Sequence, residues 1–343
     1  MSDPHVLVAR LDNVGDVLLT GPAVRAVAAG ARRVDYMCSA AGRPAAELLP
    51  GVDHVLTYDA PWVGFEPRDT DRAVFHEVVE RVAQLGVDQA FIFTSFHQSP
   101  LPLALMFRLA GVGTIAAASV DFPGGLLDVR HRQVEGHEVE QSLSLVATLG
   151  YRLGSGDGGE LRLREPLART APFPEPYIVV HPGASVPARA LDAAVARDAV
   201  DELVRAGWRV AVTGSASEAA LTAHVAGHHG DQVLDLAGTH DLRGLAGVLA
   251  GAEAVVVGNT GPAHLAASVG TPVVSVFAPV VPVGRWGPWR IPTRILGDQS
   301  IGCRRCRARR CPLPEQLCLR PVTADAIVDA VHSLAAAPRA VTS

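Results

Sequence analysis

Two tandem α/β domains, each built on a parallel β-sheet, are the architecture that this sequence predicts. Three observations carry the prediction. Short apolar runs alternate with amphipathic stretches in both halves of the chain, as in βαβ units. A stretch rich in Gly and Pro, residues 151–176, interrupts that alternation near the middle and reads as a linker. The length, 343 residues, exceeds the usual size of one domain. The expected boundaries are 1–165, 172–320 and a closing helical segment at 321–343.

In the first half, HVLVARL (5–11), RVDYMCSA (33–40), HVLTY (54–58), QAFIFTSF (89–96) and TIAAAS (114–119) are the expected strands. Helical periodicity falls near 16–30, 43–49, 70–86 and 99–110. GHEVEQSLSLVATLG (136–150) reads as a closing helix that Gly150 ends. The second half restarts with YIVVHPGAS (177–185), WRVAVTG (208–214), QVLDLAG (232–238), AEAVVVG (252–258) and TPVVSVFAP (271–279). Its helices are expected near 193–206, 217–228, 241–250 and 262–269, with a last one at 323–337 capped by Thr323.

Composition narrows the function. The chain is 48% hydrophobic and 19% charged with a net charge of −5, which argues against a nucleic-acid partner. It has no lysine, so all 30 basic residues are Arg, and any side-chain cation that grips a phosphate here is a guanidinium. No apolar run reaches membrane-spanning length and the first residues lack a signal-peptide pattern. The expectation is a cytoplasmic protein with at most peripheral membrane contact. Gly154, Gly156 and Gly159 fit G-x-G-x-x-G, but no strand precedes them and no helix follows, so a loop is expected there. The pairs His76–Glu77 and His137–Glu138 lack the second His of a zinc-protease helix.

In open α/β sheets ligands bind at the carboxyl ends of strands, and a crevice between the two sheets is the expected site. The loops after the strands are therefore where chemistry is sought. GNTGPAHLAASVGTP (258–272) follows a buried-type strand and opens a helix at Thr260, Gly261 and Pro262. Pro suits a first helical turn, and the free amides there, aligned with the helix dipole, attract an anion. An ordinary N-cap by Asn259 or Thr260 explains the same residues. HPGASVPAR (181–189) brings Gly183, Ser185 and Arg189 to the next strand end, although Arg189 also reads as a surface arginine. Glu218, four residues after Gly214, suits a ribose hydroxyl or a first-turn helix carboxylate. In LDNVGDVLLT (11–20), Asp16 follows Gly15 where a strand turns into a helix, and a capping and a chemical role are both open.

The ordered set LDNVGDVLLT, HPGAS–PAR, TGSASE and GNTGPAHLAA resembles glycosyltransferase family 9, the ADP-heptose:lipopolysaccharide heptosyltransferase family, over nearly the whole chain. The resemblance implies the GT-B fold: two Rossmann-like domains facing a central cleft, acceptor on the first, nucleotide-sugar on the second, and a last helix that packs back on the first domain. It implies that Asp16 is the catalytic base, that Arg189 stands where the family has a basic residue on the diphosphate, and that Glu218 meets the nucleoside. It implies further that Thr260 and Gly261 bind phosphate and that His264 follows them. Two departures stand out: Asn259 replaces a common Asp, and Ala190-Leu191-Asp192 replaces an aromatic residue and Pro.

These residues suit an inverting transfer of a sugar from a nucleotide diphosphate to a hydroxyl of a glycan, lipid-linked or small-molecule glycoside acceptor. Asp16 would take the proton, and Arg189, Thr260 and the Gly261 amides would carry the leaving charge without a metal. Asn13 and Gly15, with His97 and Gln98 after the fourth expected strand, are candidate acceptor contacts. The segment 121–133, with Arg130, His131 and Arg132, suits an anionic acceptor or a solvated loop. A nucleotide-sugar epimerase of the same fold and a non-catalytic nucleotide-sugar-binding protein are the competing readings.

Four of five cysteines, Cys303, Cys306, Cys311 and Cys318, form C-x2-C-x4-C-x6-C, compact enough for one tetrahedral structural zinc. Free thiols, disulfides and an iron–sulfur cluster are the alternatives. Five interleaved Arg residues (304, 305, 307, 309, 310) are expected to favour thiolates. Cys38 reads as a small core residue.

Overall fold

A computed structural model describes residues 3–64, 69–95 and 98–335. The chain divides into two units, Met1–Arg164 and Glu165–Ser343. The division falls inside the Gly/Pro-rich stretch, but residues 151–164 belong to the first unit. Tyr151, Leu161 and Leu163 are buried there, and the Arg25 guanidinium grips Asp157 at 2.7 and 2.9 Å.

The first unit holds β1 (His5–Arg10), β2 (Arg33–Cys38), β3 (His54–Thr57), β4 (Gln89–Phe93), β5 (Thr114–Ala118) and β6 (Val129–His131). They form one parallel sheet in the order β3-β2-β1-β4-β5-β6. All six residues of β1 are buried, as a central strand covered on both faces requires. One apolar layer, including Leu7, Ile92, Phe107 and Ile115, fills a face of this sheet. Where one helix was expected near 16–30, two occur, Val14–Leu19 and Gly21–Ala28. Pro22 lies in the opening turn of the second, where its missing N–H costs nothing.

The second unit repeats the plan with β7 (Tyr177–His181), β8 (Arg209–Val212), β9 (Val233–Asp235), β10 (Ala254–Gly258), β11 (Val273–Val276) and β12 (Thr293–Leu296). Its sheet is parallel in the order β12-β11-β10-β7-β8-β9. Both sheets reverse direction beside their first strand, between β1 and β4 and between β7 and β10. Loops that leave adjacent strands to opposite sides of a sheet open a crevice at that point.

The last helix, Ala324–Ala335, had been expected on the first domain. Its apolar face, Ile327, Ala330, Val331 and Leu334, lies instead in the second unit's core with Val200, Leu203 and Val274. These positions recur at helical spacing, and each fully buried aliphatic side chain contributes about 1.5–3 kcal/mol. No described helix is long and apolar enough to cross a membrane.

Candidate functional site

In the first unit the chemistry gathers at the carboxyl end of β1. Arg10, its last residue, is 2% exposed and is ringed by polar groups. Its Nε lies 2.6 Å from Asp12 Oδ2. One terminal nitrogen lies 2.8 Å from Asp16 Oδ1 and donates to Ser95 Oγ at 3.0 Å; the other lies 3.3 Å from Glu138 Oε2. Three carboxylates thus share one buried guanidinium. Burial alone would pull the Arg10 pKa down, but Asp12, Asp16 and Glu138 outweigh it and push it above its ordinary value. The cation is permanent.

Asp16 sits in the first turn of the helix Val14–Leu19, where the dipole also favours a carboxylate. It does not cap that helix. The N-cap position is Asn13, exposed and without a side-chain capping bond. Gly15 is buried within the same turn. Asp16 keeps a quarter of its side chain exposed, so Arg10 holds it at the rim rather than inside the core.

Gln98, an expected acceptor contact, joins two loops. Its Nε2 donates to Asp12 Oδ1 at 2.7 Å, and its Oε1 accepts from the Ser95 amide at 3.1 Å. It ties the loop after β4 to the loop after β1, which are neighbours because the strands pair at Arg10 and Phe93. His97 lies outside the described residues. An opening of about 270 Å3, counting space open to solvent, lies beside this tie and is lined by Leu11, Trp62, Phe93, Gln98 and Leu103. Arg130 is spent on structure: its guanidinium donates to the carbonyls of Ser119 and Val120 at 3.0 and 2.6 Å.

In the second unit, three loops meet at the carboxyl ends of β10, β7 and β8. Gly258 ends β10, and a Cβ built there would come within 2.1 Å of the Arg189 carbonyl oxygen. Only glycine lets the 182–191 loop lie down on this strand end. Arg189 closes a single 3-10 turn, Pro187–Arg189, with its side chain half-buried. Ser185 is exposed and Gly183 buried. The departure at 190–192 has a local reason: Asp192 caps the helix Ala193–Arg205, accepting from Ala194 and Val195 at 3.0 and 3.1 Å, and Leu191 is buried.

Thr260 is the N-cap of the helix Gly261–Ser268 but makes no side-chain capping bond. Its backbone is extended, as at an ordinary N-cap, and Pro262 in the opening turn has no N–H for a side chain to accept. Asn259 is buried, with its amide nitrogen 3.4 Å from the Ala278 carbonyl and its Oδ1 without a hydrogen-bond partner. Asn rather than Asp keeps a net negative charge out of this spot. His264 is buried in the same helix.

Glu218 is engaged within its own loop. Its carboxylate accepts from the amide and hydroxyl of Ser215, both at 2.8 Å, closing a capping box. It also lies over Gly183, where a Cβ would fall 1.9 Å from Oε1. Gly183 is therefore explained by Glu218, and Gly214 by contact with Thr222 and Glu218. Beneath them His181, at the end of β7, shares a 3.0 Å hydrogen bond with Thr213. Burial pulls the His181 pKa down, and Glu218 opposes this in part.

The cysteine segment does not fit the expected zinc site. Among the described residues no three His, Cys, Asp or Glu side chains form a group able to hold a metal ion. Cys303 and Cys306 are exposed, and Cys311 is half-buried. Cys318 packs into an apolar cluster with Val186, Ala188, Phe277 and Val280. Burial pushes its thiol up, against the expected thiolate, and neighbouring Cys303 and Cys311 add to this. All five cysteines are free. The segment's backbone is pinned beside Arg189: Ala188 N donates to Arg309 O at 2.9 Å, and Arg307 N donates to Val280 O at 3.0 Å.

Sequence reasoning missed Arg10, Asp12, Ser95, Glu138, His181 and Gly258 as parts of these sites. The available signal was a charge ending an otherwise apolar strand, VLVAR, and a second acid inside LDNVGD.

Comparison with known proteins adds sequence and fold evidence. The family model described as Glycosyltransferase family 9 (heptosyltransferase) matches residues 120–316, more than half of the chain. Over 180 residues the chain is 33% identical to Lipopolysaccharide heptosyltransferase 1 of Pseudomonas aeruginosa, covering 51% of this chain and 48% of that protein. The chain thus spans about half the length of the curated relative that it matches. Among solved structures, a glycosyl transferase family 9 protein from Veillonella parvula superposes with a TM-score of 0.76 at 16% identity, covering 97% of both chains. E. coli ADP-heptose lps heptosyltransferase II gives 0.72 at 19% identity, covering 98% of both. E. coli heptosyltransferase WaaC with ADP gives 0.67 at 19% identity, covering 96% of this chain and 97% of that one. At these identities the solved structures speak for the fold.

Proposed function

Since the chain belongs to glycosyltransferase family 9 (heptosyltransferase), we propose that it transfers a sugar, with inversion and without a metal, from an ADP-linked donor of the heptose class to an acceptor hydroxyl. The observation that carries this reading is Asp16, a carboxylate aimed by a buried arginine at the carboxyl end of a central strand. The curated relative is named as a heptosyltransferase and the WaaC structure holds ADP, which supports the donor class.

The reaction is a displacement at the anomeric carbon. The acceptor oxygen forms the new glycosidic bond while the bond to the diphosphate breaks, and the hydroxyl proton passes to Asp16. The leaving diphosphate gains charge in the transition state. Arg189, the Thr260 hydroxyl and the amides of the turn at Gly261 are suited to stabilise it. Glu218 is suited to the nucleoside, with one oxygen already committed to Ser215. Gly183, Ser185, Gly214, Asn259 and His264 shape the same strand ends. On the acceptor side, Asn13 and Gly15 precede Asp16 in its turn, and Gln98 is hydrogen-bonded to Asp12. The acceptor is a glycan or glycoside, lipid-linked or small, met in the cytoplasm.

The test is direct. The full chain is incubated with ADP-heptose and other nucleotide-sugars over a panel of glycan and glycoside acceptors, and the glycosylated product is measured with wild type and Asp16→Asn. Product from wild type and its loss in the variant are expected. Free nucleotide and an epimerised sugar without an acceptor would assign an epimerase instead. Tight donor binding with no product from any acceptor would assign a binding protein.

A further inference from the structure

Glu138 is a buried acid, 3% exposed, that the displacement chemistry does not use. It opens the helix Glu138–Ala147, more than a hundred residues from β1, yet it meets Arg10. The base has a specific need at this point. A carboxylate paired one-to-one with a buried arginine is held ionised but loses proton affinity, and a general base needs both. Arg10 cannot be deprotonated, so the protein can moderate its pull only by dividing it.

We propose that Glu138 is a positioning residue for the transfer reaction: by occupying one edge of Arg10 it limits the share of that cation felt by Asp16 and so keeps Asp16 basic. This rests on the reading of Asp16 as the base. Asp12 divides the cation at a second edge and is itself held by Gln98. Three carboxyl groups meet one guanidinium here, and one member of the group reaches furthest toward solvent. That member is Asp16, at 25% side-chain exposure against 11% for Asp12 and 4% for Glu138.

Among the described residues, Tyr36, Arg43, Arg25 and His137 on the surrounding elements have partners of their own. Tyr36 on β2 bonds Thr20 at 2.8 Å, and its burial pushes its pKa up. Arg43 pairs with Glu47 and Arg25 with Asp157. His137 accepts from the Val139 amide through Nδ1 as the N-cap of the Glu138 helix.

The experiment compares the full-length wild type with Glu138→Gln, Arg10→Met and Arg10→Lys. Two readouts are used: the acid limb of kcat/KM with ADP-heptose, and the titration of the Asp16 carboxyl by carbon NMR, assigned through Asp16→Asn. Glu138→Gln should move both downward by about one pH unit, because Asp16 then feels more of Arg10. Arg10→Met should move both upward by a similar amount, and Arg10→Lys, which keeps the positive charge but not the three-sided reach, should shift less than Arg10→Met. Asp12→Asn should also shift downward, which keeps the test open if Glu138→Gln does not fold. A purely structural Glu138 would lower the rate at every pH without moving either titration, and that result overturns the proposal. NMR shifts in opposite directions from a chain that transfers no sugar would uphold the electrostatic arrangement and overturn the reading of Asp16 as base.

Discussion

The Arg189 carbonyl oxygen rests on Gly258, in the space that any Cβ at that position would occupy. The last residue of β10 therefore fixes the height of the loop that carries the candidate diphosphate cation.

Gly258→Ala should lift that loop. A contact of 2.1 Å cannot persist, and the obstacle is backbone rather than a flexible side chain. A destabilisation of about 1–3 kcal/mol is expected from overpacking. The same variant should weaken donor binding, because Arg189 moves with its carbonyl. Thermal unfolding with calorimetric titration of ADP checks both; an unchanged ADP affinity would separate Arg189 from the donor.

Asp16→Asn should leave the fold intact and lower kcat by roughly 10²–10⁴-fold, the usual range for loss of a general base. Asn retains an oxygen for Arg10, so unfolding midpoints should barely change. Single-turnover transfer from ADP-heptose measures the effect.

Asp157 gives an acid-side dependence of stability. Its two-pronged bond to Arg25 holds its carboxyl at about 2, below the ordinary 3.8. A folded-state pKa below the unfolded value contributes stability that is complete above about 4 and is lost as pH falls toward 2. Asp157→Asn should cost about 2 kcal/mol at pH 7 and much less near pH 2. Urea unfolding of both proteins across that range reads the difference.

His181 acts in a higher window. Burial lowers its folded-state pKa below the ordinary 6.5, so the unfolded chain takes up the proton first. Its contribution is complete above about 6.5 and falls as pH drops through and below that value. His181→Asn should flatten the stability profile between pH 7 and pH 5 while removing the bond to Thr213. A profile as steep as wild type would assign the slope to another group.

The fold was largely legible because central strands announce themselves. VLVA and AVVV are apolar runs buried on both faces, and the Gly/Pro-rich break marked the middle of the chain. The edge strands β6 and β12 escaped, since Val129–His131 and Thr293–Leu296 are short and carry exposed arginines. Asp16, Thr260 and Gly261 were legible from a local pattern, a turn between strand and helix. Arg10 and Glu138 were not, because their meaning lies in a contact across 128 positions that no spacing rule encodes. The cysteine pattern misled for the converse reason: regular spacing does not tell whether Cys318 turns toward its neighbours or into an apolar cluster.

The pinning of residues 305–309 has a consequence for local opening. That stretch has no regular secondary structure among its described residues, yet Arg305, Arg307 and Arg309 exchange backbone hydrogen bonds with Pro279, Val280 and Ala188. The turn bearing Arg189 and the chain after β11 are fastened by the same short splint. Such segments sample open states more readily than strands do. Opening of this splint would release one fastening of the turn that bears Arg189, and amide hydrogen exchange at 188 and 307 reads such opening directly.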